Sequence, residues 1–195
     1  MKKILYYVNQ FFGQVGGEDK ADYTPHFEEK AVACAQAFDK ALVDGHVVGT
    51  IICGDNYYNE NKEESDKFIL EIFEKVNPDI VVAGPAFNAG RYGMACSGVI
   101  NLLKDKDVPV ISGMYIENPA VDMCRLNGYI VETADSAAKM REAIKAMASL
   151  ANKIIEGKSL EPKEDGYMPQ GRRLTEFSDK IGARRAVEML LKRFN

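Results

Sequence analysis

Val81-Val82-Ala83-Gly84-Pro85-Ala86-Phe87-Asn88-Ala89-Gly90-Arg91-Tyr92-Gly93 is the stretch on which the reading of this chain turns. The run from Asp79 to Ala83 is short, β-branched and apolar on both faces, as a strand inside a parallel sheet should be. Gly84-Pro85 is expected to stop its ladder, because proline has no N–H to donate. A glycine-punctuated loop then carries an amide (Asn88), a guanidinium (Arg91) and a phenol (Tyr92) into the start of a helix. In an open α/β sheet such a loop lies at the carboxyl edge of the strands, where ligands bind.

The unit repeats on both sides of this stretch. Lys3 to Val8 reads as a first strand and Val47 to Cys53 as a second. The loop after the first strand, Asn9 to Glu18, lacks both the G-x-G-x-x-G spacing and the P-loop lysine. Its paired Gly16 and Gly17 suit either plain turn geometry or an anion cradle of backbone N–H groups. Thr24-Pro25 with Phe27, Ala31, Cys34, Phe38 and Ala41 at helical spacing predicts a helix from residue 25. Residues 54–61 read as a polar loop, and Asn61 with Glu64 as a capping-box start of the next helix.

Beyond the central stretch, Tyr92, Ala95, Cys96, Val99, Leu102 and Leu103 form a helical stripe. Strands follow at Val108 to Ser112 and Tyr129 to Val131, and Met140, Ile144, Met147, Ala151 and Ile154 define a long helix. Alternating strands and helices predict a doubly wound parallel sheet of about five strands, a three-layer sandwich of flavodoxin-like or, second, Rossmann-like order. Residues 1–157 are assigned to this α/β domain. Residues 158–195 read as a linker and a C-terminal docking helix, capped by Ser178. Its apolar stripe and many arginines and lysines suit either a solvated face or docking to an acidic partner.

The totals bound the rest. A chain of 195 residues, 46% hydrophobic and 28% charged, is one domain with a sizeable core. Net charge −4 argues against nucleic acid as the partner. No apolar run approaches the ~20 residues of a membrane span, and Asn9 and Gln10 cut the N-terminal run too short for a signal peptide. Four scattered cysteines and two histidines fit reduced thiols in a cytoplasmic protein and make a metal site unexpected. Cys34 and Cys96 lie on apolar helix faces, where packing is the plainer role.

Four strand ends deliver Asn9 and Gln10; Asp55, Asn56 and Tyr57; Asn88, Arg91 and Tyr92; and Tyr115, Glu117 and Asn118 to one rim. This set of amides, carboxylates, phenols and one arginine suits a small zwitterion. Arg91 would grip a carboxylate, Asp55 or Glu117 would face an ammonium, and Tyr57 or Tyr115 could cover a quaternary amine. The plainer alternatives are a helix-start ion pair for Arg91, a self-satisfied turn for Asp55 and surface charge for Glu117. No Ser-His-Asp or Cys-His pairing can be assembled, so no catalytic residue is assigned.

The motifs Asn9-Gln10-Phe11-Phe12, Ile52-Cys53-Gly54-Asp55-Asn56-Tyr57-Tyr58-Asn59-Glu60-Asn61, Ala83 to Gly93, Gly113-Met114-Tyr115-Ile116-Glu117-Asn118-Pro119 and Gly166-Tyr167-Met168-Pro169 together resemble the selenoprotein B subunit of the glycine/sarcosine/betaine reductases, in its N-terminal half. The resemblance implies reductive cleavage of the C–N bond of glycine, sarcosine or betaine in amino-acid-fermenting anaerobes. It implies a pyruvoyl group on a companion component B subunit, and a selenol that attacks the carbon beside the carboxylate. Selenoprotein A would carry the product onward to acetyl phosphate, and thioredoxin would reset it. The family's selenocysteine belongs to a C-terminal half that this chain lacks. Substrate or subunit binding within an oligomer is therefore the expected role here, and a free-standing small-amine-binding or sensory domain the alternative. An FMN carrier is disfavoured, because the first loop has no hydroxyl-rich phosphate grip.

Overall fold

The computed structural model of the chain describes residues 1–171 and 179–193. In order the elements are β1 (Lys2–Val8), a 3-10 turn (Glu18–Lys20), β2 (His26–Glu28), α1 (Cys34–Asp39), β3 (Gly45–Ile52), α2 (Asp55–Glu60), α3 (Lys62–Val76), β4 (Ile80–Phe87), α4 (Gly90–Leu102), β5 (Val110–Met114), α5 (Ala120–Cys124), β6 (Tyr129–Glu132), a second 3-10 turn (Ala137–Lys139), α6 (Met140–Ile155), α7 (Pro162–Asp165) and α8 (Gly182–Arg193).

The six strands form one sheet in the order β2-β3-β1-β4-β5-β6. All neighbours run parallel except β2, which pairs antiparallel with β3. Counting the parallel strands alone gives the order 2-1-3-4-5, the flavodoxin-like arrangement. Successive residues of a strand face opposite sides, so β1 feeds two cores. Ile4, Tyr6 and Val8 pack with Phe38 of α1 and Ile144, Met147 and Ala151 of α6. Leu5 and Tyr7 pack with Tyr58, Ile69, Tyr92, Val99 and Val121 from α2 to α5. The result is the expected three-layer sandwich.

Three local expectations are corrected. The helix predicted from residue 25 is instead a short edge strand, β2, followed by the single turn and a half of α1. The edge of β3 offered unpaired backbone groups, and pairing His26–Glu28 with Ile52–Thr50 outweighs the helical spacing of the apolar residues. The polar loop after β3 is instead helix α2, so Asp55, Asn56 and Tyr57 occupy its first turn. Finally, β4 does not stop at Gly84-Pro85. Pairing leaves β5 at Ala83↔Ser112 and resumes at Phe87↔Met114, so the proline sits in a bulge that asks it for no hydrogen bond.

Residues 158–171, read from sequence as linker, run along the β6 edge. Tyr167 bridges Val131, the Met168 N–H donates to the Ile130 carbonyl at 2.8 Å, and both side chains are buried. Arg125 then holds the carbonyls of Pro169 (2.8 Å) and Gly171 (3.0 Å). In α8 the apolar Val187, Met189, Leu190 and Leu191 are exposed. The Ser178 cap lies outside the described residues. No described helix is long and apolar enough to cross a membrane.

Candidate functional site

The carboxyl ends of β1, β3 and β4 converge on a cleft of about 430 Å³, a size suited to a small ligand. Asn9 and Gln10 follow β1, Asp55 opens α2, and Ala89, Gly90, Arg91 and Tyr92 turn β4 into α4. Phe11, Phe12, Gly17 and Glu18 complete the wall.

Asp55 is its fixed point. It is only 7% exposed, yet both carboxylate oxygens have partners. Asn9 Nδ2 donates to Oδ2 and Gln10 Nε2 to Oδ1, each at 3.4 Å. The two amides are themselves oriented by backbone: Phe12 N–H donates to Asn9 Oδ1 and Asp55 N–H to Gln10 Oε1, both at 3.0 Å. A distance of 3.4 Å is long for a bond to a charged acceptor. The carboxylate is thus held in place but not saturated, and it can still accept from an ammonium.

Arg91 supplies the opposite charge. Its Nε lies 3.8 Å from Asp55 Oδ1, and its Nη2 donates to Glu18 Oε1 at 2.5 Å. These carboxylates, Glu18 first, hold the guanidinium's pKa above its ordinary value. The first turn of α4 contains no acidic residue and no side-chain cap. Its opening N–H groups and the helix dipole therefore favour an anion beside Arg91. The space around Gly90 is open to approach. Asn59 braces the cleft, donating to the carbonyls of Asp55 (2.5 Å) and Arg91 (3.0 Å).

The predicted rim is thus divided. Asn9, Gln10, Asp55, Arg91 and Tyr92 come together, with Tyr92 fully buried beneath the cleft and its ring 5.7 Å from that of Phe12. Asn56, Tyr57, Asn88, Tyr115, Glu117 and Asn118 do not line it. Asn56 pairs with Asp22 at 2.5 Å. Tyr57 packs against the core, and burial followed by the Glu64 carboxylate raises its pKa. It does not line the cleft, where Phe11, Phe12 and Tyr92 are the aromatic residues. Asn88 and Glu117 are exposed elsewhere on the rim.

Asn118 is a clamp. Its buried amide donates to the Phe87 carbonyl at 2.9 Å and the Ala89 carbonyl at 3.3 Å, and its Oδ1 accepts from Ala120 N–H at 3.0 Å. Phe87 has φ +51°, a conformation a phenylalanine rarely adopts. Asn118 and the Tyr115 N–H (3.0 Å) both grip its carbonyl and so fix the turn that presents Arg91. Paired glycines in the first loop make a turn, since the Gly17 N–H goes to Asp19 Oδ1 at 3.1 Å. Sequence reading missed Glu18 and Asn59. An acidic residue directly after Gly16-Gly17 at a strand's carboxyl end was the available signal for Glu18.

The thiols are silent. Cys53, Cys96 and Cys124 are buried, and burial pushes the first and last up to about 12 and Cys96 well above its usual range. Tyr7 and Tyr92, whose hydroxyls lack an ordinary hydrogen-bond partner, lie beside Cys53 and Cys96. Burial thus disfavours the thiolate, the reactive form, in all three. No metal-ligand cluster occurs among the described residues.

Residues 1–195 match the sequence model of the family described as glycine/sarcosine/betaine reductase selenoprotein B. The chain belongs to this family. Within the selenoprotein B family, the gamma subunit of glycine reductase complex component B from Carboxydothermus hydrogenoformans is 47% identical over 192 residues, covering 97% of this chain and 44% of that one. From Peptoclostridium acidaminophilum, the beta subunits of sarcosine and betaine reductase complex component B are 44% and 43% identical, over 99% and 100% of this chain and 45% and 46% of theirs. The chain therefore spans less than half the length of these curated relatives. No solved structure matches it.

Proposed function

We propose that this chain is the substrate-receiving part of a glycine, sarcosine or betaine reductase component B. The observation that carries this reading is the cleft itself. A buried, unsaturated carboxylate (Asp55) and a guanidinium at a helix N-terminus (Arg91) stand 3.8 Å apart, so a small zwitterion could bring its ammonium to one and its carboxylate to the other. The relatives' names supply the matching ligands, since glycine, sarcosine and betaine are all compact zwitterions.

Bond cleavage is assigned elsewhere. The family resemblance implies a soft, ionised nucleophile for reductive removal of the amine, and the buried Cys53, Cys96 and Cys124 are poorly suited to that part. In this proposal the selenol belongs to sequence outside this chain and the pyruvoyl group to a companion subunit, with selenoprotein A as the next acceptor. The residues described here bind and orient the substrate: Asn9 and Gln10 steady Asp55, while Asn118 and Asn59 steady the turn that presents Arg91.

Isothermal titration of the chain with glycine, sarcosine and betaine tests the reading. At least one ligand should bind, and Arg91→Gln should abolish that binding while the thermal transition stays in place. Unchanged affinity in Arg91→Gln would refute it. The second reading uses the same cleft as a free-standing sensor of small amines, with binding and no chemistry. Capture of a pyruvoyl-bearing protein from amino-acid-fermenting cells would decide for the complex subunit.

A further inference from the structure

Arg91 is held by two carboxylates of opposite character. Asp55 is buried and fixed by two oriented amides. Glu18 is exposed, 74% at its side chain, and reaches Arg91 from a 3-10 turn that contains no buried residue. That turn hangs between Gly16-Gly17 and Ala21. Ala21 is anchored, being 5% exposed with its carbonyl accepting from Asn56 and Tyr57 N–H, both at 3.0 Å. A segment with few buried contacts opens at low cost. Glu18 Oε1 thus occupies Nη2, one of the nitrogens that a bidentate ligand carboxylate would use.

We propose that Glu18 is a resident counter-carboxylate that yields Arg91 to the carboxylate of an incoming zwitterion, so that the cleft selects amines bearing a carboxylate over amines without one. The proposal rests on the reading of the cleft given above and adds to it a residue that sets specificity. A simple amine could approach Asp55 but offers nothing to replace Glu18 on Arg91, and it would meet the positive guanidinium 3.8 Å from the Asp55 carboxylate. A zwitterion exchanges one carboxylate for another, and the charge on the fork stays balanced.

The test is calorimetric titration of the wild-type chain, Glu18→Gln and Arg91→Gln with glycine, sarcosine, betaine and, as the carboxylate-free probe, trimethylamine. Glu18→Gln should bind the zwitterion about two- to fivefold more tightly, the range that an exposed ion pair can withhold. Arg91→Gln should bind none, and trimethylamine should bind detectably to neither Glu18→Gln nor the wild type. A gain of affinity cannot come from a merely structural role for Glu18, whose loss would weaken binding. If Glu18→Gln binds equally or less well while Arg91→Gln still abolishes binding, the exchange is overturned and the cleft assignment survives. If Arg91→Gln binds like the wild type, or nothing binds the wild type and Glu18→Gln, the cleft assignment falls and the exchange with it.

Discussion

At the scale of single residues, Asp55 shows how a buried charge can be kept for use. An unpaired buried carboxylate would be costly, whereas one fully paired would be inert. Asn9 and Gln10 hold it by two long bonds, between these extremes. Asp55→Asn keeps the backbone bond to Gln10 and removes the charge. Ligand affinity should fall at least about tenfold, the loss of one charge-assisted hydrogen bond, and the melting temperature should fall by a few degrees, because the new amide Nδ2 faces the donor NH2 of Asn9 or Gln10; calorimetry and a thermal melt read the two. The buried thiols give a second check. Cys53, Cys96 and Cys124 should resist a thiol reagent at pH 8 in the native protein and react at once in denaturant, because burial keeps them protonated. Fast native labelling of any of these three would contradict the assignment of all bond-breaking chemistry to other sequence.

At the scale of elements, the β4–α4 turn is built by close approach. A Cβ on Gly93 would lie 2.5 Å from Asn118 Oδ1 and 2.6 Å from its Nδ2, both atoms of a clamp with no room to retreat. Gly93→Ala should therefore cost about 1–3 kcal/mol, read as a fall of a few degrees in melting temperature, and should weaken ligand binding through the displaced turn. The five parallel strands were legible in the sequence because residues such as Val81, Val82, Ile111 and Ile130 are apolar on both faces, and only a sheet covered on both sides buries them all. β2 was not legible. Phe27 carries a helical spacing with Ala31 and Cys34, and only the free edge of β3, a fact of tertiary structure, turns it into a strand. α2 was hidden because Gly54-Asp55-Asn56 spells a turn locally. Gly54 is needed there for close packing, since a Cβ would stand 2.1 Å from the Ala21 carbonyl oxygen. Of the site, the charged pair Asp55 and Arg91 was legible from strand ends alone. Which rim residues face inward was not, because that depends on α2 replacing a loop and on Asn118 turning toward the backbone. Residues 158–171 make a further prediction: a chain ending at 157 should unfold at a markedly lower temperature, because it uncovers β6 and removes buried Tyr167 and Met168.

At the scale of the whole molecule, acid stability and ligand binding report on different ends of the sheet. Asp79 accepts from Lys2 Nζ and Lys3 N–H, both at 2.8 Å, and these bonds hold its pKa below the usual carboxylate range. A depressed folded-state pKa gives stability that is present above the unfolded value of about 4 and is lost as pH falls through the folded value. The melting temperature should therefore drop below about pH 4, and less steeply in Asp79→Asn. At the opposite, carboxyl edge the ligand is small. For glycine, about five heavy atoms at a ceiling near −1.5 kcal/mol each limit the affinity to roughly micromolar at best, so the decisive observation must tolerate weak binding. A ¹H–¹⁵N shift titration of the chain with glycine, sarcosine and betaine does so and also locates the ligand. The account predicts that one of them moves the amides of Asn9, Gln10, Asp55, Gly90 and Arg91 together along a single saturating curve. Shifts confined to the separate groove lined by Ile116, Thr133, Ala146, Tyr167 and Met168, or no shifts with any of the three, would contradict it.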